Sequence, residues 1–387
     1  MKNWKRLFAL LLSLALTVSL CACGGTDTDA DGDPNGSASD SPDAEPSIEV
    51  DLSQDAVAFA AGLSGGDILL TVNGEDIPAD LFLYFLYHNC DWYIYQYYYT
   101  YWTFPDNLES IAEALLDDTV NMAVYYTVRR QKAAELGCLP TDAQVQAVKD
   151  QAMANGQEYY NSLKTAYGLS DGSMDYISTL SCYSENLLNA MVPTATDEML
   201  NSYVYQVKHI LLKTIDDQRQ PLSDGEIAAK KALAEDILAQ LQAVEGEEQR
   251  ALFDELMNQY SEDGRDENGD LYAPDGYTAV PGDMVPEFEE ASLALPIGGL
   301  SGIVESSYGY HIILRGEVAD AESYADECRE YRLDEELNPL MEEARVTRAP
   351  ALEALDATAF YYRYAAYQAA VMEQYEAANG GGEDAVG

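Results

Sequence analysis

The chain has 387 residues, with 68 Asp and Glu against 21 Lys and Arg, for a formal net charge of −47 at pH 7. Binding nucleic acid requires Lys and Arg to neutralise phosphates, so this balance argues against a nucleic-acid partner and against adhesion to an anionic lipid surface. The length exceeds what one small core needs, and two folded units are expected.

At the N-terminus, Lys2, Lys5 and Arg6 precede an apolar run from Leu7 to Leu20. That is the layout of an export signal, and the run is short for a membrane span. It ends in Leu20-Cys21-Ala22-Cys23-Gly24-Gly25, which resembles a bacterial lipobox. On this reading residues 1–22 are a signal peptide and Cys23 carries the lipid. Cys21 fits less well, because bulky Leu20 would stand just before the cut. Residues 23–66 are Asp, Gly, Ser, Pro and Ala with little to bury, and read as a lipidated, disordered acidic tether. Asp27-Thr28-Asp29-Ala30-Asp31-Gly32 mimics the start of a calcium loop. Its twelfth position is Ala38 rather than a bidentate Glu, so no metal site is assigned.

Residues 67–203 read as the N-terminal part of a helical domain. Ile68 to Ile77 is a short hairpin with Asn73-Gly74 as its turn. A helix over about 107–136 places Ile111, Leu115, Val120 and Val124 on one face and stops at Gly137. Thr141 with Gln144 makes a capping box for the next helix. Further helical stretches fall near 157–167, 172–191 and 196–203. Tyr93, Tyr95, Tyr97, Tyr99 and Tyr101 alternate, with Trp92 and Trp102 beside them. They read as an aromatic core element, with an adaptable surface for non-native chains as the second reading. His88, next to this block, reads as a packing histidine. Cys90, Cys138, Cys182 and Cys328 are widely spaced with no CxxC pair, which argues against zinc. Three full disulfide pairings and free thiols all stay open.

The next stretch, 204–318, reads as a compact α+β unit. Its strands fall at 204–213, around 277–280 and 303–316. Ser223 with Glu226 caps one helix, and further helices cover about 248–260 and 286–293. The chain has three histidines. Two of them, His209 and His311, sit in β-branched apolar runs, where an inward ring pair joined by an acid makes a hydrogen-bonded core network. Residues 319–378 turn helical again, broken at Pro339 and Pro350. Residues 379–387 are a flexible tail.

Five blocks within this unit occur in a telling order: Val207-Lys208-His209-Ile210, Tyr260-Ser261-Glu262-Asp263, Gly269-Asp270-Leu271, Pro281-Gly282-Asp283-Met284-Val285-Pro286-Glu287-Phe288, and Val304-Glu305-Ser306-Ser307-Tyr308-Gly309-Tyr310-His311. From about Tyr205 to Glu317 the sequence is similar to the parvulin family of peptidyl-prolyl cis/trans isomerases. The resemblance implies a catalytic polar cluster of His209, Asp263 and His311, with Ser306 as a weaker addition. It implies a proline pocket from Met284 and Phe288, walled by Leu271. Rotation about an X–Pro bond breaks no bond, so neither cofactor nor metal is called for. Two departures stand out. The usual Gly-Gly-Asp-Leu-Gly becomes Asn268-Gly269-Asp270-Leu271-Tyr272, and residues 273–279 lengthen the stretch before Met284. Phosphate-directed specificity needs clustered Arg or Lys, and only Arg265 stands nearby.

The order tether, helices, isomerase-like unit, helices resembles PrsA-type foldase lipoproteins. This implies an α+β chain, with a small parvulin-like α/β domain inserted in a mainly α-helical chaperone domain and preceded by a disordered tether. It further implies an isomerase and chaperone on the extracytoplasmic side of a bacterial cell membrane, anchored through Cys23. Its partners would be unfolded or newly exported polypeptides with X–Pro bonds, and a homodimer is a candidate arrangement. The alternative is a holdase chaperone whose parvulin-like domain is inactive.

Overall fold

The computed structural model describes residues 48–101, 111–216 and 218–379, and leaves aside the side chains of 95–101. The expected signal peptide, lipidated Cys23, the tether up to residue 47, Trp102 and tail residues 380–387 lie outside the described residues. The chain forms two compact units. One is continuous, Val192–Leu333; the other is built from the described residues before Val192 and after Leu333. The parvulin-like unit is thus inserted, in sequence, into a mainly helical one.

The helical unit begins earlier than composition suggested. Within the stretch read as tether, α1 (Ala56–Ala61) is capped by the Asp55 carboxylate, which accepts from the Ala58 N–H, and Val57 and Phe59 are buried. Two apolar side chains in a polar, Ala-rich stretch are enough once a cap supplies the helix start. β1 (Ile68–Val72) and β2 (Glu75–Pro78) pair as an antiparallel hairpin. Its turn residues Asn73 and Gly74 both have positive φ, 52° and 86°, the backbone an Asn-Gly turn provides. α2 (Ala79–Tyr101) carries the tyrosine-rich run, so the alternating tyrosines belong to a helix. α3 (Ala112–Leu136) ends at left-handed Gly137. α4 (Asp142–Ala152) opens with the Thr141/Gln144 capping box, and α5 (Gln157–Ala166) and α6 (Asp171–Met191) follow.

The inserted unit starts with α7 (Asp197–Tyr203) and β3 (Tyr205–Lys213). α8 (Asp224–Gln242), with its Ser223/Glu226 capping box, and α9 (Gly246–Tyr260) come next. Then come β4 (Tyr277–Ala279), α10 (Pro286–Ala294), β5 (Val304–Ser306) and β6 (Gly309–Gly316). The sheet order is β4-β3-β6-β5, antiparallel throughout. One face carries Ile210, Leu212, Tyr310 and Ile312 onto Ile237 of α8 and Phe253 of α9. The other carries Tyr205, Val207 and Ile313 onto Phe288 of α10. This alternation follows from the two-residue period of a strand.

A 3-10 turn, Ala321–Tyr324, leads into α11 (Ala325–Glu342). Pro339 does not break this helix as expected; it sits in the last turn, three residues before the end, where losing one N–H costs little continuity. Pro350 does interrupt the chain, and opens the short α12 (Pro350–Glu353). Between them β7 (Val346–Arg348) pairs antiparallel with β1, making the sheet β2-β1-β7. The last helix is α13 (Ala357–Ala378). Its buried Tyr364 donates to the Tyr167 carbonyl at 2.6 Å, and Tyr367 donates to the Gln54 carbonyl at 2.7 Å. These tyrosines place an apolar body in the core and satisfy the polar tip. His88 packs against the Tyr84 ring, with centroids 4.4 Å apart. Cys90, Cys138 and Cys182 are free thiols, and Cys328 is buried. Among the described residues, no helix is long and apolar enough to cross a membrane.

The helical unit is also closed by charge. Arg129 on α3 is 1 % exposed and donates to Asp334 on α11 at 2.6 Å. Removing one partner of a buried pair costs far more than the pair contributes, so Asp334→Ala should lower stability by about 3 kcal/mol. A urea titration monitored by circular dichroism checks this; an unchanged midpoint would show that the pair does not hold the two chain segments together.

Candidate functional site

The site is built on two adjacent strands. In the β3–β6 ladder His209 lies opposite Ile313 and Leu211 opposite His311. His209 and His311 are therefore diagonal neighbours on one face, within reach across an antiparallel pair. Their Nδ1 atoms are 3.1 Å apart, and both rings are buried, 8 % and 3 % exposed.

The chain after α9 is stitched onto β3. Glu262 donates its N–H to the Leu211 carbonyl at 2.8 Å, and its carboxylate accepts from the Lys213 N–H at 2.8 Å. The Ser261 hydroxyl accepts from the Leu211 N–H at 3.2 Å. These contacts bring Asp263 over the sheet, where its Oδ2 lies 2.9 Å from His209 Nε2. A second donor reaches the same oxygen, the Tyr277 hydroxyl, at 2.6 Å. Tyr277 is placed by Gly276, whose φ is +83° and whose absent Cβ would fall 2.2 Å from the Val207 carbonyl oxygen. A side chain there would force β4 off β3 and carry Tyr277 away. At the other end Ser306 Oγ is 2.7 Å from His311 Nε2, and it accepts from the Tyr308 N–H at 3.1 Å.

The proton order along this chain follows from its ends. Asp263 is held below the usual carboxylate range. Burial alone would raise it, but the hydrogen bonds from His209 and then from the Tyr277 hydroxyl outweigh that. An ionised Asp263 only accepts, so His209 donates from Nε2, and in the tautomer with a bare Nδ1 that atom accepts. His311 must then donate from Nδ1, leaving its Nε2 to accept from the Ser306 hydroxyl. This order matches every donor and acceptor along the row. Burial pushes His311 down to about 4, with Asp263 opposing in part. Tyr277 is pushed up to about 12 by burial and by its bond to Asp263, so its hydroxyl keeps its proton.

Phe288 covers the polar row. Its ring meets His209 and His311 edge-on at centroid distances of 5.0 and 5.2 Å. It is 3 % exposed, and Met284 is half-buried at the rim of the same cluster. α10, which bears Phe288, is anchored at its C-terminal end by Arg315 of β6. That guanidinium donates to the carbonyls of Leu293 and Leu295 at 2.9 and 2.8 Å, partners that free helix-end carbonyls require.

His209, His311, Asp263, Met284 and Phe288 thus converge on one face of the sheet. Leu271 does not join them. It bridges to Arg265 and packs against the cluster on the opposite face, because the lengthened loop turns back on itself before β4. Arg265 is occupied in holding that loop, donating to the Gly269 carbonyl at 2.7 Å and to Ser261 at 3.3 Å. Sequence reasoning missed Tyr277. Its signal was present in the strand expected around 277–280, which puts Tyr277 opposite Val207 and on the histidine face. No group of three His, Cys, Asp or Glu suited to a metal occurs among the described residues.

Comparison with known proteins gives this segment a family. Residues 194–319 match the model of the PPIC-type PPIase domain, and this part of the chain is a parvulin-type domain. Foldase protein PrsA of Halalkalibacterium halodurans is 40% identical over 121 residues, covering 30% of this chain and 32% of that protein. Chaperone SurA of Chromobacterium violaceum is 35% identical over 111 residues, covering 28% and 22%. The chain therefore spans less than a third of the length of either relative. The crystal structure of the peptidylprolyl isomerase PrsA from Bacillus cereus is 19% identical, with a TM-score of 0.32, over 84% of this chain and 95% of that one.

The depressed His311 gives a pH signature. The folded ring stays neutral to about 4, whereas an unfolded histidine binds its proton near 6.5. Unfolding therefore takes up a proton between these values. The contribution to stability is complete above about 6.5 and is lost as pH falls toward 4. With three histidines in the chain, ring NMR signals are easily followed. His311 should stay neutral at pH 5, and Tyr277→Phe should raise the Asp263 titration midpoint. A His311 midpoint near 6.5 in the folded protein would contradict a buried, neutral His311.

Proposed function

We propose that the parvulin-type unit catalyses cis/trans isomerisation of X–Pro bonds in newly exported polypeptides, and that the helical unit holds those polypeptides while they are unfolded. The uncatalysed rotation faces a barrier of about 18–20 kcal/mol and takes tens of seconds or longer. The observation that carries the reading is the matched row of Asp263, His209 and His311 lying directly under Phe288 and beside Met284. A planar amide is stabilised by charge separation that the twisted form loses. An apolar slot that grips the proline ring and strips water from the bond disfavours the planar ground state. Phe288 forms the floor of that slot and Met284 its rim. The polar row, with its protons fixed, presents a constant field beside the rotating carbonyl.

His209, Asp263 and His311 are the polar machinery in this proposal, with Ser306 and Tyr277 as positioning residues. The names of the PrsA and SurA relatives support the foldase and chaperone reading. The export signal and lipobox-like Cys23 support an extracytoplasmic, lipid-anchored protein. A second reading, a holdase with an inactive isomerase unit, draws on one observation: Leu271 packs away from Met284 and Phe288, which leaves the slot one wall short.

Exchange NMR on a short Ala-Pro peptide separates the two. The protein should speed exchange, and Phe288→Ala should reduce kcat/KM by roughly a hundredfold, equivalent to about 2.7 kcal/mol of transition-state stabilisation. Suppression of aggregation of an unfolded client should survive. Phe288→Leu, which keeps most of the buried volume, covers the case where the alanine variant does not fold. No acceleration by the folded wild type would leave the holdase; loss of both activities in a folded variant would end the division of labour between units.

A further inference from the structure

The helical unit contains a surface that the proposed isomerase does not use. β7 is the edge strand of the sheet β2-β1-β7, and all three of its residues are exposed. Its register fixes where its backbone groups point. Thr347 lies opposite Thr71, the Ala349 N–H donates to the Leu69 carbonyl, and the Arg345 carbonyl accepts from the Asn73 N–H. Residues 345, 347 and 349 therefore face β1. By alternation, the N–H and C=O of Val346 and Arg348 point away from the sheet. Among the described residues neither pair of groups has a hydrogen-bond partner.

Beside this free edge lies a groove of about 740 Å³ within the same unit. Val120 and Val124 of α3, both buried, and Met341 supply its apolar lining. Glu342 and Glu353 supply two carboxylates, while the lone cation, Arg348, is already paired with Asp117 at 2.6 Å. The groove thus offers unpaired strand hydrogen bonds, apolar side-chain contacts and excess negative charge in one place. An extended polypeptide uses all three, since its backbone completes the ladder and alternate side chains enter the groove. An anion would be repelled by the two carboxylates.

We propose that β7 and this groove capture an extended, cation-bearing segment of an unfolded polypeptide by adding it to the sheet next to Val346–Arg348. The proposal rests on the reading of the helical unit as the holding part, and gives that part a location and a preference. Charge complementarity commits it to basic segments; the second reading of the occupant, another copy of this chain, is an outcome of the test.

The test uses the full chain and a fluorescein-labelled peptide, acetyl-Lys-Val-Thr-Val-Thr-Lys-amide. Fluorescence anisotropy should show saturable binding, and hydrogen exchange should slow at the Val346 and Arg348 amides when the peptide is present. Val346→Pro removes an outward N–H, a substitution edge strands tolerate, and should weaken binding at least tenfold. N-methylating alternate peptide amides should do the same, and carries the test if the proline variant does not fold. Replacing both Lys by Glu should weaken binding at low salt, with the difference shrinking near 1 M salt, where the Debye length is about 3 Å. Absent binding, or binding indifferent to both Val346→Pro and N-methylation, would overturn the proposal. Edge amides protected without peptide, in a protein that sediments as a dimer, would assign the edge to a second copy instead. If Val346→Pro keeps full aggregation suppression, only the edge is wrong. If the wild type suppresses no aggregation, the holding role itself is wrong.

Discussion

The antiparallel register of β3 against β6 is the constraint on which the site depends. Pairing His209 with Ile313 and Leu211 with His311 places both histidines diagonally on one face. A slip of one residue would send one ring into the cluster of Ile210, Ile312 and Phe253, where it would meet no polar partner. The remaining groups are fixed to the same two strands. Asp263 arrives through the bonds of Glu262 and Ser261 to β3, Phe288 through Arg315 of β6, and Ser306 through β5. Gly309 allows the start of β6 to come close, since a Cβ there would lie 2.2 Å from the Leu212 carbonyl oxygen.

That register also decides what the histidines can do. A general base needs a ring nitrogen that faces the substrate. Here all four ring nitrogens are committed: His209 to Asp263 and His311, and His311 to His209 and Ser306. Neither ring has a lone pair left over for proton abstraction, and bond rotation asks for none. The row instead resembles a buried polar network whose value lies in being completely satisfied. Its one partly exposed acid, Asp263, is held ionised by donors on both sides, so the field it projects persists at neutral pH.

The legible features were those with a local cause. The Asn73-Gly74 hairpin, the Thr141 and Ser223 capping boxes and the Gly137 stop each act within a few residues, and each is where the sequence put it. The histidine pair was legible because strand alternation and ordered motif blocks agreed. What escaped was non-local. β7 is three exposed residues without apolar alternation, and it is a strand only because β1 lies beside it. α1 depends on a partner helix to bury Val57 and Phe59. Leu271 and Tyr277 depend on the path of a lengthened loop, which motif spacing does not encode. Pro339 shows the reverse error, in which a strong local rule was applied one turn too far from the helix end.

The insertion bears on how such a chain can fold. β1 finds β7 only after the whole parvulin-type unit has intervened, and long-range pairing of this kind pays loop-closure entropy before any contact rewards it. The inserted unit shortens that loop by its own folding. Arg329, near its exit, donates to the Val192 carbonyl at its entry at 2.8 Å, and α7 packs with the turn around Tyr324 and buried Cys328. Once these contacts form, α6 and α11 leave the unit from neighbouring points, and the remaining closure is between nearby ends rather than across a long coil. Inserted unit first, helical unit second is therefore the entropically favoured order. The Arg129–Asp334 pair and the β1–β7 ladder then act as late contacts, and their loss should speed unfolding more than it slows folding.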